Sequence, residues 1–204
     1  MPSLKIRTPI LGGRYYHIFN RGARKGPLFI TPDNYLYFLN LIKHHLIDFV
    51  EILAYCLLPN HFHLVIRTKD SVFEKETESL EITNEEEVGK IIVKQFRKLF
   101  VTYSMAINKQ ENKVGNLFDP RYKRIEITNN EYLKYVIFYT HFNPVKHGLS
   151  GNLYQYKYSS YKSILTHKMT HLSRDHVFEI YDGREDFINY HAVLHDERKE
   201  VIME

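Results

Sequence analysis

Four stretches of the chain carry apolar residues at the two-residue period of a β-strand, and three repeat them at the period of an amphipathic helix. "RYYHIFNRG" (14–22) is aromatic and β-branched and ends in Asn-Arg-Gly, which predicts a strand running into a loop. "TPDNYLYFLNLIKHHLIDF" opens on Thr31 as a cap with Pro32 in the first turn, and Leu36, Leu39, Ile42 and Leu46 keep helical spacing. "VEILAYCLLPN" and "HFHLVIRT" read as two strands joined by a tight turn at Pro59-Asn60, a hairpin. "EVGKIIVKQFRKLFVTYSMAINKQ" lines up Val88, Ile92, Phe96, Leu99 and Tyr103 on one helical face. "RIEIT" alternates as a fourth strand. Asn129 or Asn130 then caps a third helix, "EYLKYVIFYTHF", expected to end near Asn143-Pro144 because a residue before proline avoids the helical region.

The order β-α-β-β-α-β predicts an α+β fold of the ferredoxin-like, split βαβ kind: an antiparallel sheet with both helices on one face, the other face left to carry a site. A tyrosine-bearing helix follows. Residues 1–165 are expected to form the main domain and 166–204 an extension whose path the pattern does not give. The tail contains two His pairs at helical spacing, His167/His171 and His191/His195, but neither has the Glu of a zinc-protease motif, so surface histidines are expected. Glycines in "GGRYYHIFNRG" lack the Gly-Lys-Ser/Thr ending of a nucleotide loop, so no ATP site is expected.

Composition adds little until its distribution is considered. The chain has 204 residues, a net charge of +4, 16 Tyr, no Trp and one cysteine, Cys56, in an apolar run that suits core filling. No apolar run approaches a membrane span and "MPSLKIRTPI" has no signal core, so a cytoplasmic location is the default expectation. Residues 70–87, "DSVFEKETESLEITNEEE", are strongly acidic and read as an insertion in a loop, leaving a more basic body suited to phosphates.

Chemistry concentrates at "LPNHFHLVI". Alternation places His61 and His63 on one face of the strand and Phe62, Leu64 and Ile66 on the other. Two imidazoles hold a divalent ion only with a third protein ligand. On the third helix Tyr139 and Asn143 lie four residues apart, so a phenol and an amide could reach the same ion, although Tyr135 and Tyr132 continue that face and spacing does not choose among the three. A phenol beside a metal can attack a phosphodiester, leaving a phosphotyrosyl link and a sugar hydroxyl.

"AYCLLPNHFHLVI" with "YTHFNPVKHGL" resembles the single-tyrosine transposases that carry a His-hydrophobe-His motif, most closely the REP-associated tyrosine transposase branch. "YHIFNRG", "GNLFDPRYKR" and "YKYSSYKS" support the likeness, which covers roughly residues 14–165. The resemblance implies an endonuclease domain that binds single-stranded DNA bearing hairpins or palindromic repeats, nicks and rejoins one strand with Mg²⁺ or Mn²⁺, and holds a 5′-phosphotyrosine. By position it implies His61 and His63 as metal ligands, Tyr139 as nucleophile and Asn143 as third ligand, and it leaves open a homodimer or a monomer. The acidic stretch at 70–87 is not part of the likeness. Arg14, Asn20, Arg21, Arg121, Lys123, Arg124 and Lys146, with His147, are candidate DNA contacts, with solvated charge or turn-shaping as the alternative. An inactive DNA-binding descendant and a phosphodiesterase using water are the competing readings.

Overall fold

The computed structural model describes residues 7–73 and 81–203. In chain order it contains β1 (Tyr15–Arg21), a 3-10 turn (Ala23–Lys25), α1 (Pro32–Leu46), β2 (Val50–Leu58), β3 (His61–Thr68) and the two-residue strands β4 (Val72–Phe73) and β5 (Glu81–Ile82). Then follow α2 (Glu85–Gln110), β6 (Lys123–Ile127), α3 (Asn130–Lys146), α4 (Tyr161–Leu165), α5 (Arg174–Ile180) and α6 (Arg184–Met203). The main sheet runs β2-β3-β1-β6 with every neighbouring pair antiparallel. This is the expected ferredoxin-like α+β arrangement. Among the described residues no helix is long and apolar enough to cross a membrane.

Phe62, Leu64 and Ile66 are fully buried on one face of β3, where Phe62 meets Phe38 of α1 and Phe100 of α2 at ring-centroid distances of 5.2 and 5.7 Å. The α2 stripe Val88, Ile92, Phe96, Leu99 and Tyr103 is fully buried, as its spacing predicts. In α1 the inward face differs from the expectation. Leu36 is exposed and Leu39 only partly buried, while Tyr35, Phe38, Ile42 and Leu46 face the core. The helix is rotated because aromatic Tyr35 stacks on Phe29 and Phe38 meets Phe29 edge-on, satisfying the same periodicity with larger side chains.

The acidic stretch is only partly a loop. Residues 74–80 lie outside the described residues, and Val72–Phe73 pairs with Glu81–Ile82. Glu85, Glu86 and Glu87 form the first turn of α2, where Asn84 Oδ1 accepts the N–H groups of Glu86 and Glu87 at 3.1 Å each. Carboxylates are favoured there by the exposed N–H groups and the helix dipole.

The third helix also outruns its expected end. Asn129 caps it by accepting the Tyr132 N–H at 2.8 Å, but Pro144 sits inside the last turn and the helix continues to Lys146. A proline there removes a single backbone bond, and the turn closes through bonds from His147 to Asn143 and from Leu149 to Pro144. α3 packs against β2, β3 and β6 on the sheet face opposite α1 and α2. The tail folds back over α3. Ser173 donates to Ile52 at the β2 edge (2.9 Å), and Phe187 and His191 of α6 pack against His141.

His191 is therefore not a surface histidine; it is fully buried, whereas His167 and His171 are exposed. Its burial is tolerated because every polar atom in a chain of bonds is paired. His191 Nδ1 donates to the Phe187 carbonyl (2.8 Å), His141 Nδ1 donates to His191 Nε2 (3.0 Å), and Ser160 Oγ donates to His141 Nε2 (2.7 Å). Ser160 Oγ in turn accepts the Tyr55 N–H of β2 at 2.9 Å. Burial holds both imidazoles neutral, His191 down at about 3 and His141 well below the ordinary value.

Candidate functional site

β3 register sets the floor of the site. His61 and His63 face the α3 side, opposite Arg21 and Phe19 of β1, and His17 lies one row further, opposite Val65. The two ring centroids are 5.3 Å apart with planes nearly perpendicular. Gly22 ties the end of β1 to the hairpin turn by donating to the Asn60 carbonyl (2.8 Å), and a Cβ there would collide with the Gly26 carbonyl.

Hydrogen bonds orient each imidazole. His61 Nδ1 donates to Asn60 Oδ1 at 2.7 Å, so its Nε2 keeps a lone pair. His63 Nδ1 lies 2.9 Å from His17 Nε2, and the tautomer that donates to His17 leaves a lone pair on His63 Nε2. Burial keeps these rings uncharged: His61 and His17 fall to about 4, and His63 lies well below its ordinary value, with the neighbouring histidines and Lys146 pushing the same way.

α3 supplies the roof. Tyr139 meets His63 edge-on at 5.8 Å and His17 at 6.5 Å between centroids, whereas Tyr135 and Tyr132 stack onward along the helix. Lys146 Nζ donates to Tyr139 Oη at 3.3 Å and lies 5.0 Å from the ring centre. Asn143 is fully buried. Its Nδ2 donates to the Tyr139 carbonyl at 2.7 Å, and its Oδ1 has no hydrogen-bond partner. A buried acceptor without a donor is costly unless something electropositive meets it.

A cleft of about 720 Å³ opens over these groups, walled by Arg21, Lys25, Lys123, Lys146 and His147. Arg21 Nε also pairs with Asp119 at 2.6 Å. The structure does not gather the other candidate DNA contacts. Asn20 borders the cleft, but its side chain bonds the Asp119 carbonyl and the Arg21 N–H, shaping the turn. Arg14 sits at the far end of β1 and pairs with Glu85 (3.2 Å). Arg124 lies on the opposite sheet face, bonding the Thr8 carbonyl at 2.6 Å, and exposed Arg121 is outside the cleft lining. His17, Lys25 and Asn60 join the site without having been singled out. Only the β1–β3 register could have found His17.

Among the described residues no three His, Cys, Asp or Glu side chains form a metal cluster. The donor set on offer is two neutral imidazoles and the unpartnered Asn143 oxygen, which fits a divalent cation in kind, with further positions left to water or substrate.

Fold and site together define a ferredoxin-like α+β domain with a tyrosine helix laid across a histidine-bearing strand. A solved structure described as a REP-associated tyrosine transposase bound to a REP hairpin shares this fold, with a TM-score of 0.51 at 22% identity over 78% of this chain and 82% of that one. No family model and no curated protein matches the chain.

Proposed function

We propose that the protein nicks and rejoins single-stranded, hairpin-bearing DNA through a 5′-phosphotyrosine on Tyr139, as a transposase-like enzyme. The observation that carries this reading is the meeting of the Tyr139 phenol, its Lys146 partner, two neutral histidines and the orphaned Asn143 oxygen in one cationic cleft. The shared fold with a transposase that was bound to a REP hairpin supports the same substrate class.

His61, His63 and Asn143 would hold Mg²⁺ or Mn²⁺, which when bound supplies Lewis-acid neutralisation of the phosphate's non-bridging oxygens. Tyr139 Oη attacks phosphorus, the bond from phosphorus to the 3′ oxygen breaks, and that oxygen takes a proton from solvent to leave as a 3′-hydroxyl. The phenolic proton passes to solvent while the Lys146 ammonium, already bonded to that oxygen, holds the developing negative charge. Arg21, Lys25 and Lys123 hold neighbouring phosphates. The reverse attack by a 3′-hydroxyl rejoins the strand.

The test is covalent trapping with a panel of single-stranded hairpin oligonucleotides in Mn²⁺. The native chain is expected to form an adduct that survives denaturation. Tyr139→Phe is expected to form none while still binding the oligonucleotide. Cleavage that persists in Tyr139→Phe would overturn the proposal in favour of water as nucleophile.

A further inference from the structure

No Asp or Glu occurs between Glu131 and Asp175, a stretch that continues well beyond the tyrosine helix. Its cations differ in what they meet. Lys134 pairs with Asp182 at 3.3 Å, Arg174 donates to the Ser163 and Lys168 carbonyls at 2.9 Å each, and Lys146 belongs to the cleft. Lys157 and Lys162 are exposed, and among the described residues neither meets a carboxylate. Each ammonium lies instead over a tyrosine ring, Lys157 at 4.8 Å from the Tyr158 centre and Lys162 at 4.9 Å from the Tyr154 centre. A ring face beneath a lysine restricts its flexible stem, so both charges are held in place at the surface.

The segment that carries them is fixed to the sheet and continuous with the cleft. It starts at Leu149, an exposed residue of the cleft wall, and runs on along the β2 edge. There the Leu57 N–H donates to the Tyr158 carbonyl (3.0 Å), Tyr156 Oη to the Leu57 carbonyl (2.8 Å) and the Ser160 N–H to the Tyr55 carbonyl (2.9 Å). β2 leads directly into Leu58, Pro59 and Asn60, which line the same cleft. Tyr158 also stacks on Tyr35 of α1 at 3.6 Å with planes 8° apart, so with Lys157 over the ring no face of Tyr158 is open to a nucleobase.

Single strands are held by stacking bases on open aromatic faces, whereas a duplex keeps its bases inside and presents phosphates. Fixed cations above a ring already covered suit the duplex. Resting on the reading of the cleft as a site for hairpin-bearing DNA, we propose that residues 149–162 form a rail for the paired stem, with Lys157 and Lys162 on its phosphates, while the Tyr139 cleft takes the unpaired strand. The rail sets how far the stem stands from the scissile phosphate.

The experiment follows the fluorescence anisotropy of two labelled oligonucleotides over a series of KCl concentrations, with every variant made in the Tyr139→Phe chain. One oligonucleotide carries a self-complementary stem beside an unpaired flank; the other has the same length and composition in an order that cannot pair. Lys157→Ala and Lys162→Ala are each expected to lower the salt slope for the hairpin by about 0.9, the contribution of one duplex phosphate, and to leave the slope for the unpaired oligonucleotide unchanged. Lys157→Arg should keep the slope of the parent chain. Lys90→Ala, at an exposed position of α2 on the opposite side of the sheet, should alter neither. Equal flattening for both oligonucleotides overturns the proposal in favour of a single strand on this segment, and unchanged slopes overturn it in favour of solvated charge. Adduct formation by the native chain is scored separately. Adducts with unchanged slopes sink the rail alone, whereas a stem-specific loss of slope without adducts sinks the Tyr139 chemistry and keeps the rail.

Discussion

His17 holds His63 in place with a nitrogen where many metal-binding histidines have a carboxylate behind them. Two neutral imidazoles sharing one proton orient the ring without adding negative charge, in keeping with the uniformly neutral donors around it. His17→Phe keeps the bulk and the stack on Phe19, now at 4.7 Å, but leaves His63 Nδ1 buried without a partner. Stability should fall by about 1–3 kcal/mol in urea denaturation, and Mn²⁺ affinity measured with oligonucleotide present should fall about 10- to 100-fold. His17→Gln, which retains a polar partner, should recover part of both losses. The histidine pair on β3 was legible because strand alternation is a local rule, and Tyr139 because the likeness marks it before Asn-Pro-Val-Lys. His17 was not, because its contact with His63 depends on which strands pair and in what register, a relation spread over 46 residues of sequence.

At the scale of elements, the tyrosine helix is pinned on both sides. Residues on nearly all its faces are buried, from Leu133 and Val136 through Phe142 and Val145, and the bond chain from Tyr55 through Ser160 and His141 to His191 stitches β2, α3 and α6 together. This chain makes stability depend on pH. Above about pH 6.5 His191 is neutral folded and unfolded; below it the unfolded chain takes up a proton that the buried ring, held down to about 3, refuses. Stability contributed by the neutral ring is thus complete above pH 6.5 and is lost as pH falls towards 3, by about 1.4 kcal/mol per unit. His191→Leu should unfold more easily at pH 8, because the His141 N–H loses its acceptor, yet decline less steeply below pH 6. Chemical denaturation at several pH values checks both arms, and parallel curves for the two proteins would refute the assignment. The apolar periods that gave α2 its inward face were legible for the same reason that they misplaced α1: a period fixes the repeat, but which of two overlapping stripes turns inward is decided by the partners, here Phe29 and Phe62. The end of α3 was misread because a preference against helix before proline yielded to packing of Asn143, Pro144 and Val145, all buried.

At the scale of the whole molecule, two charged regions lie at opposite ends of β1. Glu85 to Glu87 start α2 beside Arg14, while the cationic cleft lies beyond Arg21 at the other end of β1, roughly 20 Å away for a seven-residue strand. The modest net charge of +4 therefore averages over an acidic first turn of α2 and a basic cleft, and under the proposed function the cleft is the part that meets phosphates. Salt dependence reads out which cations take part. Each phosphate contact on a single strand contributes about 0.7 to the slope of log affinity against log salt. Lys123→Ala and Lys146→Ala should each flatten the slope by about that amount, because both line the cleft. Arg14→Ala and Arg124→Ala should leave it unchanged, since one is neutralised by Glu85 far from the site and the other is bonded to Thr8 on the opposite sheet face. Anisotropy titrations of a single-stranded hairpin over a series of KCl concentrations make the comparison, and the slope reports contacts even where a substitution shifts absolute affinity. If Arg14→Ala or Arg124→Ala flattened the slope as much as the two lysine variants, the strand would have to run over the helical side of the sheet, and the Tyr139 cleft would no longer be its seat.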